Sequence, residues 1–283
     1  MSDTNAPFIP TPQHSSPLNP LDYAVSKRDA DILSMVAEAI HHKQAILAYQ
    51  PVVNAEGRFQ VAFYEGLVRL QDATGRIIPA RDFVPVIEDT ELGREVDTLA
   101  LILGCKALND VPSLRLAVNM SAQSMAYTPW LRALEHWTKH DPSIGPRLIL
   151  EITESSAMVM PELVVDFMDR LQNKGICFAL DDFGAGYTAL RYFKDFFFDI
   201  LKLDGQFVSG IADDPDNHVL AQAMTTIGKQ FDMLVVAEMV ETPRDAEILR
   251  EIGVDCMQGF LFGAPTTRPH WITSDEDRAA ASK

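Results

Sequence analysis

The chain has 283 residues, of which 47% are hydrophobic and 23% charged. That is enough for one large core and within reach of a single α/β barrel. Forty acids against 24 bases leave a formal net charge of −16, and a surface of that sign excludes sequence-independent binding to DNA or RNA. A small phosphorylated ligand stays open, provided local positive charge or metal ions meet it.

Residues 1–25 are polar and rich in proline, serine and asparagine, so a disordered segment is expected there. They lack the apolar stretch of a secretory leader, and no run in the chain is long enough for a membrane span, so a cytoplasmic protein is expected. Cys105, Cys177 and Cys256 stand far apart in apolar contexts and read as small buried hydrophobes. The stretch "SKRDADILSMVAEAIHHKQ" sets Ile32, Leu33, Val36, Ala39 and Ile40 on one face of a helix spanning 26–44. Ser26 and Asp29 have the spacing of a capping box, and His41 and His42 close the helix.

From residue 45 the chain alternates. Strand-like runs are "AILAYQPVV", "VAFYEGLVRL", "LRLAVNM", "RLILEIT", "CFALDD", "DILKLD", "MLVVAE" and "VDCMQGF". Helical stretches separate most of them. "PELVVDFMDRLQNKG" has Pro161 early and Gly175 just past its end, and "TPRDAEILREIG" has Thr242 as cap, Pro243 in the first turn and Gly253 as stop. Only "NAEGRF" lies between the first two strands, which suits a hairpin and not a parallel crossover. The pattern predicts an α/β fold: a TIM-type (β/α)8 barrel over 45–270 with one antiparallel strand, followed by a tail over 271–283.

Barrels of this kind carry their chemistry at the C-terminal ends of the strands. Those ends hold Glu65, Asn119, Glu151 with Glu154, Asp181 with Asp182, Lys202 with Asp204, Glu238 with Glu241, and Gln258. One acid at a strand end is ordinarily solvated or caps the next helix. Several carboxylates converging on one mouth repel unless cations neutralise them. An all-oxygen donor set suits Mg²⁺ or Mn²⁺ better than zinc. The adjacent pair Asp181–Asp182 is then tolerated because metal sits over it, and two such ions are the arrangement of phosphodiester hydrolysis.

The motifs "YQPVV", "EGLVRL", "FVPVIEDT", "NMS", "EITE", "DDFGAGY", "KLD", "AEMVE" and "QGFLFGAP" occur in that order from about residue 45 to about 266. In that order they resemble the EAL domain, a family of cyclic di-GMP-specific phosphodiesterases. The resemblance implies a metal-dependent enzyme that opens cyclic di-GMP to linear pGpG, here as a stand-alone module, with Mg²⁺ or Mn²⁺, two per active site. It implies Glu65, Asn119, Glu151 and Asp181 as ligands of one ion, and Asp181, Asp182 and Glu238 as ligands of the other. Glu238 has a second candidate role as general base. Lys202 would lie near the attacking water, with Asp204 in the polar shell. Gln50, Arg69 and Gln258 would contact substrate, and Glu154 would hold the loop "DDFGAGY". A homodimer is implied as well, with the aromatic run Tyr192 to Ile200 as a candidate face.

The chain departs from the family pattern at a few places. Gly66 stands where alanine is usual, Leu70 where tryptophan is, and Ala185, Thr188 and Ala189 replace hydroxyl residues of the loop. Met239 stands where glycine is usual. If its backbone takes a positive φ, methionine is strained and can narrow the site or shift Glu238. The alternative to turnover is an inactive domain that senses the nucleotide or binds a protein partner.

Overall fold

The computed structural model describes residues 19–72, 74–186 and 193–272. Its first element is a helix, α1 (Pro20–His41). It starts six residues before the predicted boundary, so Ser26 and Asp29 lie well inside it and cap nothing. Strands β1 (Ala45–Asn54) and β2 (Val61–Gln71) form the expected hairpin. A two-residue strand that the sequence pattern does not announce, β3 (Ile77–Ile78), pairs with the end of β2. Helices α2 (Ala80–Ile87) and α3 (Glu91–Asp110) follow. The remaining strands are β4 (Leu116–Asn119), β5 (Leu148–Thr153), β6 (Cys177–Phe183), β7 (Ile200–Leu203), β8 (Leu234–Ala237) and β9 (Cys256–Gln258). Between them run α4 (Thr128–His140), α5 (Glu154–Ala157), α6 (Pro161–Gln172), α7 (Pro215–Gln230) and α8 (Pro243–Ile252). The predicted punctuation holds: Thr242 accepts from the Asp245 amide, and Gly253 ends α8 at φ +92°.

The strands follow one another in the order β1-β9-β8-β7-β6-β5-β4-β2, and the β1–β2 pairing closes the circle. β1 is antiparallel to both its neighbours, while β2 and β4 to β9 are parallel. This is the expected eight-stranded barrel with one reversed strand, and β3 is an appendage. Leu116, Leu148, Leu150, Phe178, Leu180, Leu201 and Val235 point outward into one buried cluster with Leu134, Phe167 and Leu249 of the surrounding helices. Val52, Phe63, Ala117, Ile149, Ala179, Ile200, Val236 and Cys256 form a separate apolar layer from all eight barrel strands.

A third cluster sits on the side of the barrel, where Val36 and Ala39 of α1 meet Phe83, Ile87 and Val96. Leu70 is fully buried there. Strand alternation turns it away from its neighbour Arg69, so this residue, where tryptophan is usual, packs into the side cluster. Trp271 packs edge-on against Tyr49 and Tyr64, with ring centroids 5.4 and 4.6 Å away. It belongs to the barrel wall and not to a tail. Residues 273–283, like Thr188 and Ala189, lie outside the described residues.

Candidate functional site

Side chains two residues apart on a strand share a face. Stepping two residues from the apolar layer along each strand converts every apolar residue into a polar one. Phe63 leads to Glu65, Ala117 to Asn119, Ile149 to Glu151, Ala179 to Asp181, Ile200 to Lys202, Val236 to Glu238 and Cys256 to Gln258, while on the reversed strand Val52 leads back to Gln50. Every barrel strand thus supplies one polar group to a layer at the C-terminal mouth. The register aligns them, with Asn119 beside Glu151 and Gln50 beside Glu65.

Lys202 is the centre of that layer. Its fully buried Nζ lies 2.7 Å from Glu238, 2.8 Å from Glu151, 3.0 Å from Asp181 and 3.7 Å from Glu65. Burial alone would lower its pKa, but the surrounding carboxylates overcome this and raise it well above the usual value. One ammonium cannot satisfy them all. Burial pushes Glu151 well above the usual carboxylate range, with Glu65 and Asp181 adding to the push. Burial likewise lifts Glu238 to about 8, again with Asp181 and Glu65 contributing. Glu65 goes the other way: burial opposes its ionisation, but Lys202 and the amides of Gln258 and Asn119 outweigh it.

The adjacent aspartates have a structural explanation. The β6–β7 register slips between Leu180 and Phe183, and Asp182 takes φ +55°. Such a bulge re-aims a side chain, and carboxylate oxygens of Asp181, Asp182 and Glu238 come within 4.8 Å of one another. Burial, then Asp181 and Asp204, lift Asp182 to about 6. The bulge is held from below by buried Glu154, whose Oε2 accepts the Gly184 amide at 3.1 Å. Gly184 is at φ +98°, and a methyl group there would overlap Phe207 and Met224. The loop is therefore fitted closely to the turn after β7 and to α7.

Other expected site residues take different places. Gln258 is buried and donates to Glu65 at 2.6 Å and to Gln50 at 3.1 Å, while Gln50 donates to the Gly263 carbonyl. Gln258 thus holds Glu65 and Gln50 backs Gln258, while the buried Gln258 Oε1 has no hydrogen-bond partner. Asp204 accepts the Gln206 amide and caps the turn after β7. Met239 does take a positive φ, +52°, yet Glu238 stays against Lys202. Gly66 is tightly enclosed: a methyl group there would lie 3.3 Å from the Ala117 carbonyl oxygen and from Leu47.

The acidic layer fits a hard cation. Glu151 is fully buried, yet its Oε1 has no hydrogen-bond partner, and an unpaired buried carboxylate oxygen is costly unless something positive meets it. The facing donors are all oxygen.

A cavity of about 600 Å³ opens from Glu65, Asn119 and Asp181 toward α2. Arg69 and Arg81 lie in its wall, with Glu88, Asp97, Ser121 and Met160. Arg69 is folded onto its own strand, donating to the Val68 carbonyl. Asp97 escaped the sequence reading, because nothing local distinguishes it from any helix acid. Its Oδ2 accepts the Ser121 amide at 2.9 Å and the Ser124 hydroxyl at 2.7 Å, tying α3 to the turn after Asn119. Burial raises its carboxyl to about 6, against the pull of those two donors. A raised carboxylate contributes stability that is full below the unfolded value near 4 and lost as pH rises through the folded one. Urea unfolding between pH 4 and 7 should therefore show a loss of about 1–2 kcal/mol that Asp97→Asn removes. An unchanged profile in the variant would discard this account.

A family profile described as the EAL domain matches residues 33–265. The chain belongs to the EAL domain family. MucR of Pseudomonas aeruginosa, a bifunctional diguanylate cyclase/cyclic di-GMP phosphodiesterase, is 29% identical over 256 residues, covering 89% of this chain and 37% of MucR. The cyclic di-GMP phosphodiesterase PdeR of Escherichia coli is 31% identical over 232 residues, 81% of this chain and 35% of PdeR. This EAL domain thus spans about a third of the length of these relatives. The MucR phosphodiesterase in complex with c-di-GMP superposes with a TM-score of 0.73 at 29% identity, covering 83% of this chain and 97% of that one. The FimX EAL domain of Xanthomonas citri, at 21% identity, shares the fold with a TM-score of 0.77, covering 88% and 99% of the two chains. No described helix of this EAL domain is long and apolar enough to cross a membrane.

Proposed function

We propose that this EAL domain hydrolyses cyclic di-GMP to linear pGpG with divalent metal ions, Mg²⁺ or Mn²⁺, two per site. One observation carries the reading: Glu65, Glu151, Asp181 and Glu238 ring Lys202 at the barrel mouth, with Asp182 beside them, and the ring opens on a cavity that has Arg69 in its wall. The relatives named as phosphodiesterases of this dinucleotide, and the ligand in the MucR structure, support the choice of substrate.

Glu65, Asn119, Glu151 and Asp181 would hold one ion, and Asp181, Asp182 and Glu238 the second. Bound there, such ions lower the pKa of water and stabilise charge on attacking and leaving oxygens. Lys202 locks Glu151, Asp181 and Glu238 in place and offsets charge building on the phosphate oxygens. Glu238 is within reach of a proton leaving the attacking water. As the water oxygen bonds to phosphorus the bond to the 3′ oxygen would break, and the proton that Glu238 takes from the water would pass to the departing 3′ oxygen. Arg69 swings from the Val68 carbonyl to a phosphate, which suits its planar fork of donors. Gln258 keeps Glu65 aimed at the mouth and, with Gln50, would contact the nucleotide, Asp204 completes the polar surround of Asp182, and Glu154 keeps the bulge in register.

The purified protein should convert cyclic di-GMP to pGpG in Mg²⁺ or Mn²⁺, read by nucleotide chromatography, and Glu65→Ala should abolish this. Binding without product would turn the reading to a nucleotide sensor. The homodimer reading narrows to Phe197, which is 66% exposed while Phe193, Phe196 and Phe198 are buried. Sedimentation should show a dimer that Phe197→Asp dissociates, whereas a fully active monomer would remove this face from consideration.

A further inference from the structure

Met239 follows Glu238 directly, at the C-terminal end of β8. Its backbone lies in the left-handed region, at φ +52°, which costs a side chain-bearing residue energy and glycine none. The side chain is nevertheless 55% exposed, so burial does not repay that cost. It lies across Gly205, at the end of β7, so closely that a methyl group on Gly205 would overlap its Sδ and Cγ. The thioether is therefore seated on the Gly205 backbone, and the rest of it is open to solvent.

Its position follows from the strand order. β7 and β8 stand directly across the circle from β2 and β4, whose ends open into the cavity. The cluster of Asp181, Asp182 and Glu238 joins the ends of β6 and β8. A cyclic dinucleotide has two identical halves joined through its phosphates. With one phosphate over the cluster and one half in the cavity past Arg69, the other half would fall on the opposite, β7–β8 side, where Met239 stands. The first half meets walls. On the other side Met239 is an exposed apolar side chain directly beside Glu238, with exposed Phe260 past the end of neighbouring β9.

We propose that Met239 is a substrate-binding residue, the apolar platform on which the purine outside the cavity rests; this depends on the cyclic di-GMP reading above. A polarisable, unbranched thioether packs well on the flat face of an aromatic ring, and a base held there is fixed without reading its edges. Strain held at a functional rim is a recognised pattern.

The test is steady-state hydrolysis of cyclic di-GMP by the full chain in Mn²⁺, comparing wild type, Met239→Gly and Met239→Leu. Met239→Gly relieves the backbone, so its fold is safe. Its KM should rise about two- to ten-fold, the range for a sulfur–aromatic contact, with kcat changed less than KM. Met239→Leu should restore most of the KM. Equal KM in wild type and Met239→Gly overturns the platform alone. A loss of kcat at constant KM also overturns it, and would mean that the side chain acts by placing Glu238. If wild type neither binds nor cleaves the dinucleotide, the functional reading falls, and the platform falls with it.

Discussion

Replacing Lys202 by methionine should destabilise the metal-free protein by about 3–5 kcal/mol, the cost of removing one partner from a buried charge network. The side chain fits the same space, so packing changes little. What is lost is the only ammonium among the described residues that faces Glu65, Glu151, Asp181 and Glu238, all within 3.7 Å of it. Their mutual repulsion then acts in a buried setting where water screens it poorly. Added Mn²⁺ should recover part of the loss, by about 2.7 kcal/mol at a hundred times its dissociation constant. Urea unfolding in chelator and in Mn²⁺ measures both. Equal stability of variant and wild type in chelator would mean that Lys202 does not neutralise this site.

Glu151→Gln should separate stability from turnover. Glu151 is fully buried, and its carboxyl is held well above the usual range by burial and by neighbouring acids. Glutamine keeps an acceptor for Lys202 and offers its new amide hydrogens to the facing carboxylates. Stability in chelator should stay within about 1 kcal/mol of wild type, or rise, since a buried acid exchanged for a neutral isostere sheds a desolvation cost. Hydrolysis of cyclic di-GMP should fall about 10³-fold or more, because a charged donor to the reacting centre is gone. Retained turnover would remove Glu151 from the metal-holding set. A large loss of stability would make it a structural acid instead.

Much of this was visible in the sequence for a definite reason. The alternation of Phe63 with Glu65, Ile149 with Glu151 and Ala179 with Asp181 is a local property of extended chain, and it sets floor and mouth wherever the strands go. Pro161, Thr242 and Gly253 act within one helical turn and mark their elements without help. α1 starts earlier than expected because Asn19, Pro20 and Asp22 read as a cap, a first-turn proline and a first-turn acid, a signal that the proline-rich composition of the segment masks. β3 was missed because two residues hold no period.

What the sequence determined by itself was the alternation of strands and helices, the hairpin that reverses β1, and the set of polar residues at strand ends. These follow from short-range sterics, periodicity and turn length. Only the tertiary structure decided which of those polar groups meet. Barrel closure brings Lys202 among four carboxylates from distant segments, and a one-residue slip between β6 and β7 turns Asp182 onto the same site as Asp181. It also set Gln258 against Glu65 and Gln50 against Gln258, clamped Asp97 to the turn after Asn119, and laid Met239 across Gly205. Those contacts join residues far apart in the chain, and their distances depend on how every strand in the circle is registered.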